Sequence, residues 1–446
     1  MNVEKAMARD NTVWGLVLAA AAIMMITTGI RQTTGLFVSP LNTATGLGIV
    51  AISFALAIAQ FVWGAAQPIF AAVGDKYGTL KVLIAGGLML AAGTALTPFA
   101  HGEGMLIATL GGLSAAGAAA GSFALLVGVV SQRIAAERRS LAAGIVNAGG
   151  SFGQFVFAPL VQWLIGASGW VTAMFALAGI ALLTVPLAFM LRPPAPSAPR
   201  AAGSDAASAP PPGTSSPGTS SASTSSASTS SPGTSSAGAV DGMTLGRQIR
   251  IALANRDYLL LHAGFFTCGF HIAFLVTHLP GEVQLCGLPA SVASMSLALI
   301  GLFNIAGSLI IGWLGQHYRM KWLLALMYGS RAVAIVVYLL APKTAATFYA
   351  FAAVLGFTWL ATVPPTAGLI GKLFGARYLS TLFGLTLLSH QTGGFLGAWL
   401  GGRVLASDGN FAWMWYADIV LATAAALLNL PIRESRLPAR AAAAAA

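Results

Sequence analysis

Within the apolar run "VWGLVLAAAAIMMITTGIRQTTGLFVSPL" one charge stands alone, Arg31. A cation at membrane depth costs at least about 2.5 kcal/mol, so its presence asks for a partner or a task. A guanidinium presents a planar fork of donors that matches a carboxylate at two points. Anion binding is therefore its first candidate chemistry; snorkelling outward or capping backbone carbonyls is the competing one. His271, in "CGFHIAFLVTHLP", can donate a hydrogen bond or carry a proton near neutral pH. His390, Asn147, Asn304 and Gln391 also interrupt apolar runs. Each is a candidate to line a binding site, and each reads equally as a hydrogen bond between helices.

Arg331 and Asp418 are opposite charges in separate apolar runs. A pair leaves neither uncompensated, so they are expected to form a structural ion pair. Asp418 is the one carboxylate read well inside such a run, so a proton route has to use it, a histidine or the cargo. No paired carboxylates, nucleophile elbow or phosphate-cradling loop is found. Cys268 and Cys286 give neither a disulfide framework nor metal-ligand spacing. An enzyme is therefore not expected, nor a metal or cofactor.

The elements that must hold these groups are legible from composition. Of 446 residues, 57% are hydrophobic and 8% charged, where a soluble domain carries about 25% charged residues. Mean hydropathy is +0.79. Apolar runs of about 20 residues, enough to cross a bilayer as helices, predict twelve spans: 13–37, 49–73, 82–100, 105–132, 140–166, 170–191, 258–281, 290–315, 321–341, 346–371, 378–402 and 411–431. The fold class is an all-α membrane protein. Residues 192–250 are dominated by Ser, Thr, Pro, Gly and Ala and read as a disordered linker. They divide a six-helix half, 1–191, from a second, 251–434, with a tail at 435–446. A shift of 240 aligns Gly29 with Gly269, Pro40 with Pro280, Gly144 with Gly384 and Gly153 with Gly393, so the halves read as repeats. The net charge of +11 is spread over loops, which favours membrane orientation over nucleic acid. Nearly all Lys and Arg fall on alternate loops, leaving Lys343 and Arg403 on the others. Both termini and the linker are then cytoplasmic, in a multi-pass monomer of a bacterial-type inner membrane.

Between spans two and three, "GDKYGTLK" resembles the signature loop of the major facilitator superfamily. The twelve spans, the linker and the half-chain repeat fit the same superfamily, whose fold sets two pseudo-symmetric six-helix halves side by side. Asp75, Lys76 and Gly78 carry the match and, by that resemblance, a conformational gating loop; Ala71, Thr79 and Leu80 depart from the pattern. "GIRQTTGLFVSPL" and "CGFHIAFLVTHLP" resemble the bacterial branch related to monocarboxylate and oxalate/formate transporters, although span eight offers Asn304 where oxalate-type members use a basic residue. In that fold the first and seventh helices line the cavity, which sets Arg31 and His271 face to face. The implied function is secondary transport of a small organic anion, a monocarboxylate first, with protons as the coupling ion. A drug or metabolite efflux pump of the same superfamily is the alternative.

Overall fold

The computed structural model describes residues 3–134, 138–192, 244–375 and 378–434, and no strand occurs among them. The linker expected at 192–250 falls almost wholly outside the described residues, and the tail at 435–446 entirely so. One described piece departs from that expectation. Leu245–Ala254 is a helix, because Gln248, Ile251 and Ala252 make a buried face that a disordered linker would lack.

The principal helices are α1 (Val3–Gln32), α2 (Ile49–Tyr77), α3 (Thr79–Leu96), α4 (Phe123–Ser131), α5 (Arg139–Leu182), α6 (Thr184–Met190), α7 (Arg256–Leu285), α8 (Ala290–His317), α9 (Met320–Leu340), α10 (Ala345–Thr358), α11 (Val363–Phe374), α12 (Leu379–Asp408) and α13 (Ala412–Asn429). Ten helical stretches among the described residues are long and apolar enough to cross a membrane. One of them, Leu141–Met190, is 50 residues long and is interrupted at Gly169, whose φ of 81° belongs to the left-handed region. Helix α12 has the length of a span, 30 residues. Ser389, His390, Gln391 and Thr392 dilute its hydropathy, and it is not one of the ten.

With lipid outside, helices gain by bringing backbones close, and small residues permit it. Helix α1 lies on α5 and α7 on α12 in this way. A Cβ at Gly153 would stand 2.2 Å from the Met25 carbonyl oxygen, and one at Gly393 would stand 2.0 Å from that of Phe266. These two glycines are aligned by the 240-residue shift, so each half of the sequence builds a close crossing with the same position. Helices from the two halves of the sequence meet along two seams, α2 on α12 and α5 on α8.

Between α10 and α11 the helix breaks at Trp359–Thr362, just before Pro364 and Pro365. Across the break the carbonyls of Thr358 and Trp359 lose their helical donors, and Val363 N turns to Leu360 O at 3.0 Å. Arg331 supplies donors instead. It is 1% exposed, and its guanidinium donates to the carbonyls of Thr358 and Trp359, the latter at 2.8 Å. It also donates to Thr358 Oγ1 at 3.4 Å and reaches Cys268 Sγ at 3.3 Å. On the amide side, Asn304 Oδ1 accepts from Leu360 N at 3.0 Å.

Candidate functional site

Arg31 occupies the last turn of α1, where the α-helix gives way to a 3-10 turn at Thr34–Phe37. Thr33 and Thr34 hold that transition by donating to the carbonyls of Gly29 at 2.9 Å and Arg31 at 2.9 Å. The guanidinium lies over Trp63, 4.0 Å from the ring centroid, and Nη1 donates to Gln60 Oε1 at 2.8 Å. Nε is buried and has no partner. No carboxylate among the described residues pairs with Arg31. The side chain therefore keeps its charge in place with an aromatic face and one amide, and leaves the Nε edge of its fork free. That edge is one of the two that a carboxylate can engage at two points.

A cavity of about 30 Å³ opens beside it, lined by Arg31, Gln32, Gln60, Ser114 and Thr277 among apolar neighbours. This is room for about two waters and too little for an organic molecule. Thr277 also lines a second cavity of about 420 Å³, walled by Asn42, Gln162, His278 and Gln284. The two spaces thus share a wall on α7. The second lies at the end of the molecule opposite the basic loops, since its lining comes from 35–49, 277–293 and 405–411 together with Gln162.

The remaining predicted residues distribute differently from expectation. His271 does not face Arg31. Its neighbours Ile272, Ala273 and Val276 line the cavity, while its ring turns to α13 and bonds through Nδ1 to Asp418 Oδ2. They are 1% and 0% exposed. This also corrects the expected Arg331–Asp418 pair. The carbonyls of the helix break take up Arg331, and Asp418, buried without water, takes the imidazole as its partner. His390 packs against Phe265 with 5.0 Å between centroids, and its Nδ1 has no partner. Asn304 Nδ2 donates to Ser151 Oγ at 2.8 Å across the α5–α8 seam, and Gln391 accepts from Gln60 Nε2 at 2.9 Å across the α2–α12 seam. Asn147 is half-buried on α5 and lines neither cavity. Lys76 is exposed at the end of α2, and Gly78 ends that helix with φ 97°. The Asp75 side chain lies outside the described residues.

Gln60, Trp63 and Glu282 were not singled out from sequence. Gln60 and Trp63 sit in "AQFVWGAAQ", where the same test applied to Arg31, a polar group in an apolar run, finds the glutamine. Glu282 lies near the end of α7, is 9% exposed and accepts from the Tyr338 hydroxyl at 2.6 Å. Asp418 is thus not the sole buried carboxylate of the helical core.

A family model described as Major Facilitator Superfamily matches residues 16–398. The chain is 25% identical over 422 residues to monocarboxylate transporter 13 of Rattus norvegicus, covering 94% of this chain and 89% of the relative. It is 22% identical to the oxalate:formate antiporter of Oxalobacter formigenes, covering 90% of this chain and 86% of the relative. Among solved structures, a D-xylose-proton symporter aligns with a TM-score of 0.68 at 14% identity, over 95% of this chain and 100% of that one. A bacterial homolog of the human lysosomal transporter Spinster, in an inward-facing and unoccupied conformation, aligns at 0.67 and 13% identity, over 98% of each. At these identities the structural likeness bears on the fold alone.

Proposed function

The chain belongs to the Major Facilitator Superfamily, and from that premise we propose that it carries a small organic anion, a monocarboxylate first, by alternating access with Arg31 as the anion receptor. The observation that carries this reading is the free Nε edge of an unpaired guanidinium beside a cavity. Relatives named as monocarboxylate and oxalate:formate transporters support the class of cargo. The alternative, export of lipophilic cations, needs a carboxylate facing the cavity, and Asp418 is taken by His271.

Reading Leu141–Met190 as two passes and α12 as one gives twelve passes in two six-helix halves, 1–191 and 251–434. The basic loops orient both termini to the cytoplasm of an inner membrane. A proton accompanies the anion. The buried His271–Asp418 bond sets an imidazole against a carboxylate inside the helical core, which makes the pair the candidate coupling site, with His390 in α12 a second candidate. His390 and Asn147 stay candidate cargo contacts in a more open state, and Asp75, Lys76 and Gly78 a candidate gate.

Flux of labelled acetate, lactate and pyruvate into proteoliposomes tests the reading. Arg31→Gln abolishes flux, and Arg31→Lys, which keeps the charge but loses the fork, leaves a small remainder. Wild-type flux in Arg31→Gln overturns the receptor role.

A further inference from the structure

Resting on the anion reading of Arg31, we propose that Gln60 is the residue through which cargo at Arg31 is felt by the opposite half of the protein. Its side-chain amide clasps the α2–α12 seam while Arg31 is unoccupied and releases it once a carboxylate neutralises the guanidinium.

The polarity of the clasp is fixed by chemistry. A guanidinium has only donors, so the atom of Gln60 facing Arg31 Nη1 is its oxygen. The Gln60 amide nitrogen must then point the other way, where it donates to Gln391 Oε1 on α12. A directed chain results, from Arg31 through Gln60 to Gln391. It starts on a permanent cation and ends on the Gln391 amide nitrogen, which is buried and has no partner. Gln60 is 9% exposed and Gln391 0%, so the Gln60–Gln391 bond is shielded from bulk water. A cation at the head of such a chain polarises the amide and strengthens its onward donation.

The backbone around the chain is built for it. Gln391 lies against Gly64 of α2, where an added Cβ would come 1.9 Å from Gln391 Cγ. Gln60 lies against Gly394 of α12, where an added Cβ would come 2.8 Å from Gln60 Cγ. Each amide thus occupies the space left by a glycine on the facing helix. The second seam shows what is special here. Under the 240-residue shift Gly64 and Gln391 correspond to Asn304 and Ser151, which bond across α5–α8. There the asparagine oxygen is tied to a backbone amide at Leu360. Only the α2–α12 seam carries a chain that begins on the proposed cargo receptor. A carboxylate on the Nε edge cancels the charge that polarises Gln60, and the seam loosens at the moment the cargo is bound.

The test uses Gln391→Leu and, as a second variant of similar size, Gln60→Met, which neither accepts from Arg31 nor donates to residue 391. Spin labels at Tyr77 and Ser380, exposed on α2 and α12, report the seam by pulsed EPR, with and without saturating acetate or lactate. Without any carboxylate, both variants shift the ratio of clasped to parted forms about tenfold, the scale of one hydrogen bond between neutral groups. In the wild type the carboxylate produces the same shift, and in the variants it adds nothing. Unchanged ligand-free distributions overturn the clasp. A carboxylate response in the variants equal to that of the wild type overturns the relay. A wild type indifferent to carboxylates, in which the variants still part the seam, overturns the anion reading of Arg31 and leaves the clasp standing.

Discussion

Replacing Arg331 with methionine removes the donors that close the α10–α11 break. The side chain is 1% exposed and serves two main-chain oxygens, those of Thr358 and Trp359. A hydrogen bond from a charged group contributes about 1.5–3 kcal/mol net. Two such bonds give about 3–6 kcal/mol, and part of this returns because the variant no longer buries a cation. The expected loss is about 3 kcal/mol, close to a hundredfold in the folding equilibrium constant. Unfolding in mixed dodecylmaltoside and SDS micelles, followed by tryptophan fluorescence, reads it. Arg331→Lys recovers only part, since a single ammonium cannot span both oxygens in a plane. The design separates capping from ion pairing. If Arg331 mainly served Asp418, neutralising both in Arg331→Met/Asp418→Asn would restore most of the stability. With the carbonyls as its main charge, the double variant is no better than Arg331→Met. Stability within about 0.5 kcal/mol of wild type in Arg331→Met, or its rescue by Asp418→Asn, refutes the capping argument.

Further outcomes follow from other contacts. Asp418→Asn leaves cargo binding measurable by thermal shift but removes the pH dependence of flux; flux that still drives proton uptake, read with a trapped pH dye, contradicts the coupling assignment. Glu282→Gln keeps the bond from Tyr338 in neutral form and lowers stability by less than about 1 kcal/mol, whereas Glu282→Leu orphans the hydroxyl and lowers it by about 1–3 kcal/mol; equal effects argue against the bond. Gly153→Val and Gly393→Val both block folding, read as loss of a monodisperse chromatographic peak, because the added carbons would meet backbone oxygens 2.2 and 2.0 Å away. Lys343 sits between α9 and α10 and donates to the Tyr338 and Leu339 carbonyls. Burial holds its ammonium below the ordinary lysine value, with Glu282 opposing that shift. The unfolded chain therefore binds more protons in the window just below that value, and the contribution of Lys343 to stability rises with pH there. Amine labelling of the detergent-solubilised protein, read by mass spectrometry, modifies Lys343 at lower pH than the other lysines, and a membrane-impermeant reagent on intact cells modifies Lys343; labelling of Lys343 only in inverted vesicles reverses the topology.

The membrane-spanning character was legible because hydropathy depends on composition alone, and the Gly153–Gly393 register because close backbone approach tolerates no side chain. Arg31, Gln391 and Asn304 stood out as polar groups that hydrocarbon does not forgive. Their partners did not. Whether His271 faces α1 or α13 depends on how α7 is turned about its axis, and its apolar neighbours are too evenly spread around the helix to set that rotation. Arg331 was matched to Asp418 because both are charges, while the carbonyls that hold it belong to a helix break and leave no trace in residue types beyond Pro364 and Pro365. Gln60 escaped notice for a similar reason: glutamine is unremarkable until a cation is placed beside it.

The contrast between the two kinds of crossing bears on motion. Where α1 meets α5 and α7 meets α12 through bare backbone, attraction is short-ranged, and slipping by a fraction of an ångström forfeits much of it. Those pairs travel as stiff struts. Where α2 meets α12, the Gln60–Gln391 bond is exchanged at little net loss once water can reach the parted amides. On the clasp proposed above, the joint that yields is made of exchangeable bonds and the joints that hold are made of shape.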